Sequence, residues 1–143
     1  MNLFWQIAHK LYGIREGALS RSFELVSMII YGNSISAKAS IGQNTVFHHR
    51  GLGCVVHDNA VIGSNCHFFQ NVTIGRRWAK GLCDGTCPVI GDNVMIGAGA
   101  VIIGDISIEN NVRIGANAVV LSDIPNDSIA VGIPARIIER KTE

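Results

Sequence analysis

The sequence predicts an all-β solenoid, a parallel β-helix of hexapeptide repeats behind a short N-terminal helical cap. Three observations carry this. Bulky apolar residues recur every six positions: Ile35, Ile41 and Phe47, then Ile62, Phe68 and Ile74, then Ile90, Ile96, Ile102, Ile108, Ile114 and Val120. Four positions after most of them stands a small or β-branched residue: Ala39, Thr45, Cys66, Val72, Val94, Ala100, Ile106, Val112 and Ala118. Glycine follows the apolar residue directly at Gly42, Gly63, Gly75, Gly91, Gly97 and Gly115. A period of six matches neither a helix nor a strand of ordinary length. It matches a short strand and a tight turn repeated around a prism, as hexapeptide β-helices require. A β-sandwich does not fit, because its turns come about every 8–12 residues.

Taken in chain order, the first element is helical. Leu3, Phe4, Ile7, Leu11 and Ile14 share one helical face, as do Leu19, Phe23, Val26 and Ile30. Residues 1–32 are therefore expected to cap the first coil, and residues 33–138 to form the β-helix domain. Asn44, Asn65, Asn93, Asn111 and Asn117 are expected at corners, where asparagine and glycine accept backbone shapes that β-branched residues resist. The period breaks twice, between Phe47 and Ile62 and between Ile74 and Ile90. Extra residues in a solenoid leave the prism as loops, and loops on a rigid scaffold carry sites. The first break holds His48-His49-Arg50-Gly51-Leu52-Gly53, and the second runs from Arg76 to Cys87. Pro125 and Pro134 are expected to end the repeat, Arg136–Glu139 to leave the prism, and 139–143 to form a tail.

Composition removes several functions. The chain has 143 residues with a formal net charge of +1, which leaves no electrostatic case for nucleic acid or acidic lipid. The apolar run Met28-Ile29-Ile30-Tyr31 is far too short to span a membrane. No basic lead or long apolar core marks the N-terminus as a signal peptide, so a cytoplasmic location with reduced thiols is expected. Cys83 and Cys87 invite a zinc reading, but a structural zinc site needs four ligands. Cys54 and Cys66 fall where the repeat calls for apolar or small residues, so no metal is expected.

Several segments carry a more specific likeness: Gly53-Cys54-Val55-Val56, Ala60-Val61-Ile62-Gly63, Gln70-Asn71-Val72-Thr73-Ile74-Gly75, Val94–Ala100 and Val131-Gly132-Ile133-Pro134-Ala135-Arg136. Together they resemble the serine acetyltransferase family, in a short form without its large helical N-terminal domain. The resemblance implies a left-handed β-helix, a homotrimer, and acetyl transfer from acetyl-CoA to a hydroxyl. It also implies that acetyl-CoA lies in the groove between neighbouring subunits. A hydroxyl attacking a thioester needs a base for its proton and an N–H donor for the oxyanion. By resemblance the base is His49, with His57 and His48 as the alternatives. Gly75, Ala98, Gly99, Ala116 and Arg136 are the candidates for the coenzyme, and His48 and Cys87 for the acceptor side.

The acceptor side departs from the family. Where the family carries an Asp before the catalytic His, this chain has His48. Its Arg-His-Pro is matched by Thr86-Cys87-Pro88, and the Asp that orients the base by Ser34. An ammonium group wants a carboxylate partner and a carboxylate wants an arginine fork. A neutral polyhydroxyl acceptor needs neither, so a sugar hydroxyl in glycan or capsule synthesis is expected, ahead of L-serine for cysteine synthesis. Two other functional classes fit the sequence less well. Zinc-dependent γ-class carbonic anhydrases share the solenoid but place two histidines five positions apart on a later coil; here His57 and His67 stand ten apart and no histidine follows. A non-catalytic assembly subunit would not need His49 and its glycine-rich turn.

Overall fold

The computed structural model describes residues 3–12, 18–77 and 86–138. Ile14, Cys83, most of the second loop and the expected tail lie outside them. Two helices, α1 (Leu3–Tyr12) and α2 (Ala18–Tyr31), precede β1 (Ser34–Ile35). The chain then winds as a left-handed parallel β-helix whose three walls are stacks of very short strands. The first wall is β1, β4 (Val55–Val56), β7 (Thr73–Gly75), β10 (Val101–Ile103) and β13 (Val119–Val120). The second is β2 (Ser40–Ile41), β5 (Val61–Ile62), β8 (Val89–Ile90) and β11 (Ser107–Ile108). The third is β3 (Val46–Phe47), β6 (His67–Phe68), β9 (Met95–Ile96), β12 (Arg113–Ile114) and β14 (Ile129–Val131), closed by β15 (Arg136–Ile138).

Each strand but β15 turns one residue inward, so the hexapeptide apolar series becomes three columns. Ile35, Val56, Ile74, Ile102 and Val120 stack behind the first wall in register. All five are buried, as are Ile62, Ile90, Ile108 and Ile124 behind the second wall. Each isoleucine removed from water contributes about 1.5–3 kcal/mol. Phe47 and Phe68 stack at 4.7 Å between ring centroids behind the third wall. Cys54 and Cys66 fill inward positions, and their thiols meet the carbonyls of Phe69 at 3.2 Å and Gly91 at 3.1 Å. The corner asparagines Asn44, Asn65, Asn93, Asn111 and Asn117 all have positive φ, the left-handed shape that costs most other residues about 1–2 kcal/mol.

Three local expectations need correction. The first break is a single insertion, because Val56 is itself an inward residue and completes the column. Its neighbours Phe47 and Val56 stand nine positions apart instead of six. Pro125 does not end the solenoid. Ile124 still bridges to Ile108, and Ala130 still points inward from β14. Arg136–Ile138 does not leave the prism but pairs antiparallel with β14 and seals that end of the wall. The cap is pinned at one peptide. Glu24 on α2 accepts a hydrogen bond from the Ala37 N–H at 2.6 Å, while His9 Nδ1 on α1 meets the Ala37 carbonyl at 2.7 Å.

Candidate functional site

The inserted turn His48–Gly51 sits at the corner between the third and first walls. His49 (φ 51°), Arg50 (φ 60°) and Gly51 (φ 74°) are consecutively left-handed, a strained run for two non-glycine residues. Neighbours hold it. The Asn33 side-chain amide donates to the Arg50 carbonyl at 3.0 Å, and Ser27 of α2 donates to Asn33 Oδ1 at 2.9 Å. Both polar residues are buried. Gly51 suits its place by its left-handed φ of 74°, and a Cβ there would press on the end of the Ile35 side chain at 3.0 Å. The His49 side chain is left exposed on this rigid turn.

His48 is committed elsewhere. Its ring stacks on Phe69 at 4.6 Å, and its Nε2 lies 3.1 Å from His67 Nδ1, so one imidazole donates and the other accepts. Burial first, then the neighbouring His67 and His49, push its pKa down from the ordinary histidine value. His67 and Phe69 carried no signal beyond their place in the repeat.

A second group occupies the opposite edge of the first wall. His57 and Gly75 follow the paired residues Val56 and Ile74, which sets them side by side. His57 Nδ1 accepts the Asn59 N–H at 3.2 Å and lies 3.2 Å from the Cys87 thiol, itself buried. The structure thus joins His57, Gly75 and Cys87, which the sequence separates by as many as thirty positions. A Cβ on Gly75 would meet nothing within 4 Å.

Ala98, Gly99 and Ala116 gather at the first corner again, on later coils. The Gly99 N–H bonds the Gln70 carbonyl, and the Asn117 N–H bonds Ala98. A side chain on Gly99 would strike Asn117, so the corner stays narrow. Gln70 adds a feature the sequence did not single out: its side-chain Oε1 is buried with no hydrogen-bond partner, an acceptor beside this corner. Arg136 is exposed on β15, at the end of the third wall. The chain therefore does not gather all the coenzyme candidates: Gly75 lies across the first wall from Ala98 and Gly99. Among the described residues, no three His, Cys, Asp or Glu side chains group to hold a metal ion.

Between α2 and the first wall lies a cleft of about 440 Å³, lined by Arg21, Glu24, Ser34, Ser36, His57 and Asp58 among others. Ser34, which lines the cleft, follows Asn33, whose amide holds the Arg50 carbonyl of the His48–Gly51 turn.

Residues 87–122 match the family model described as bacterial transferase hexapeptide (six repeats). The chain is a hexapeptide-repeat protein of the left-handed β-helix class. Within that class it resembles the serine acetyltransferases. It is 41% identical over 134 residues to the serine acetyltransferase of Staphylococcus aureus (strain Mu50), covering 94% of this chain and 62% of that protein. Soybean serine acetyltransferase complexed with serine superposes with a TM-score of 0.85 at 36% identity, covering 94% of this chain and 54% of that one. A serine acetyltransferase in complex with CoA gives a TM-score of 0.83 at 33% identity, covering 94% and 54%. The chain thus spans about half to three-fifths of the length of these relatives.

These likenesses overturn the sugar or glycan acceptor. The relatives are named for serine over nearly the whole of this chain. The expectation rested on charges missing at His48, Thr86 and Cys87. A zwitterion needs partners of both signs, but it does not need them at those positions.

Proposed function

We propose that this protein transfers an acetyl group from acetyl-CoA to the hydroxyl of L-serine. The likeness to serine acetyltransferases along 94% of the chain carries this reading. His49 takes the hydroxyl proton as the oxygen attacks the thioester carbonyl. The oxyanion accepts a main-chain N–H, and collapse expels coenzyme A, whose sulfur recovers the proton from His49. His57 is less suited to be the base, because Nδ1 accepts the Asn59 N–H and the neutral ring then carries its proton on Nε2. Ala98, Gly99 and Ala116 give the pantetheine chain a narrow surface of small residues, with Gln70 Oε1 as an acceptor for one of its amides.

Arg136, paired with Val131, stands at the C-terminal end of that same corner, whereas Gly75 lies across the first wall; a homotrimer with the coenzyme in the groove between subunits accounts for the split. A cytoplasmic setting belongs to the same reading, since Cys54, Cys66 and Cys87 form no disulfide among the described residues.

The test is release of coenzyme A thiol with L-serine as acceptor. Turnover is expected, and His49→Ala should lower kcat by about 10²–10⁴-fold, the usual worth of a general base, while coenzyme binding by calorimetry stays intact. Undiminished turnover in His49→Ala would remove His49 from the mechanism. No turnover with serine would remove the reading itself.

A further inference from the structure

The turn that carries His49 is tied down on its C-terminal side. Asn33 donates to the Arg50 carbonyl, the Leu52 N–H to the His49 carbonyl at 3.2 Å, and the Cys54 N–H to Gly51 at 2.9 Å. The exposed His49 ring takes its direction from this backbone. A run of left-handed residues persists only where its surroundings over-determine it, so the N-terminal side needs an anchor as well.

That anchor is a cluster of rings beside the third wall. Phe47 pairs with Phe68, and His48 and Phe69 follow them, so the strand register sets the His48 ring over Phe69. The two rings lie 4.6 Å apart at 14°, a face-to-face approach that fixes the plane of His48. Phe69 is itself held from both sides. Its N–H donates to the Ile96 carbonyl at 3.0 Å, and its own carbonyl accepts the Cys54 thiol at 3.2 Å.

A stacked ring can still slide or turn in its own plane, and His67 removes that freedom. It stands exposed on β6, between Val46 and Met95 on the neighbouring strands. Its ring centroid is 5.3 Å from that of His48 and the planes differ by 22°, while His48 Nε2 and His67 Nδ1 are 3.1 Å apart. The two nitrogens therefore lie between nearly coplanar rings, the geometry of a directed N–H···N bond. A metal ion does not fit on that line, because two zinc–nitrogen bonds of about 2.0–2.1 Å would push the nitrogens farther apart. The pair shares a proton.

We propose that His67 is a positioning residue for the base: its hydrogen bond locks the His48 ring on Phe69, and the locked ring anchors the N-terminal side of the His49 turn. This role rests on the reading of His49 as the general base. It supports His49 through the backbone on both sides, where the orienting Asp of the family is matched by Ser34.

The test uses the full chain with two substitutions at this exposed position, and thermal melting to show that both variants fold. His67→Phe keeps a ring and removes the nitrogen; His67→Asn sets an amide where Nδ1 stood. In His67→Phe, kcat for acetyl transfer to L-serine should fall about tenfold, with KM for both substrates within about twofold, since a misplacement of about 1 Å can cost about 10²-fold. His67→Asn should recover most of that loss. In a His48→Phe background, adding His67→Phe should change kcat by less than about twofold, because its partner is already gone. Hydrogen exchange at the Leu52 and Cys54 amides reads the turn without catalysis, and should quicken about tenfold in His67→Phe but not in His67→Asn. Unchanged exchange or unchanged kcat in folded His67→Phe would overturn the proposal. So would a raised KM alone, an equal loss with and without His48, or a His67→Asn as slow as His67→Phe. Faster exchange in His67→Phe beside a wild type that does not acetylate serine would keep the anchor and sink the serine reading.

Discussion

The two imidazoles of His48 and His67, with nitrogens 3.1 Å apart, accommodate one shared proton but not two positive charges. The folded His48 pKa is lowered, by burial first and then by His67 and His49, so below about pH 6.5 the unfolded chain binds more protons than the native one. Stability therefore falls as pH drops through 6.5 toward the folded value and is unaffected by this residue above it. Thermal melting at pH 8 and pH 5.5 measures the loss, which should shrink in His48→Gln; an equal loss in that variant would assign it to other groups. Burial raises the Cys54 and Cys66 thiols in the same manner, through the cost of charging a buried group. Iodoacetamide at pH 8 should modify neither at an appreciable rate in the folded protein.

At the scale of elements, the turn His48–Gly51 shows how a strained loop is held by parts far from it in sequence. Asn33 links Ser27 on α2 to the Arg50 carbonyl, so the cap and the turn share one buried polar residue. Asn33→Ala leaves the Ser27 hydroxyl and the Arg50 carbonyl without this partner, a loss of about 1–3 kcal/mol. The urea midpoint should fall accordingly, and kcat should fall with it as the His49 turn relaxes; an unchanged midpoint would show that the turn holds itself. Gly51 and the corner asparagines were legible in the sequence because a left-handed backbone restricts residue type. Asn33 was not, because nothing in a one-dimensional pattern says which carbonyl a buried amide will meet.

For the whole molecule, a single narrow prism leaves much apolar surface in water. Ile29 is 72% exposed and Ile30 56% on α2, and Ile133 is 73% exposed beyond β14. The helical cap thus buries less of its apolar face than expected: Val26 and Ile30 both remain exposed. Isologous or cyclic association is the usual remedy for such surfaces. Sedimentation equilibrium at micromolar concentration should give three times the 15.4 kDa chain mass. A monomer would remove the intersubunit groove, and with it the joining of Gly75 to the Ala98–Gly99 corner.

The sequence by itself determined the solenoid, since a six-residue period of inward apolar residues with small residues between them packs well only as stacked short strands. It also marked both loops, because an insertion in a strict repeat has nowhere to go but outward. Only the tertiary structure decided what meets across the coils: His57 with Cys87 and Gly75, His48 with His67, Asn33 with the His49 turn, and Arg21 over the first wall. Stacking sets side by side residues a whole coil or more apart in sequence, and the inserted loop lengthens that interval from one coil to the next. No fixed spacing in the chain announces such contacts.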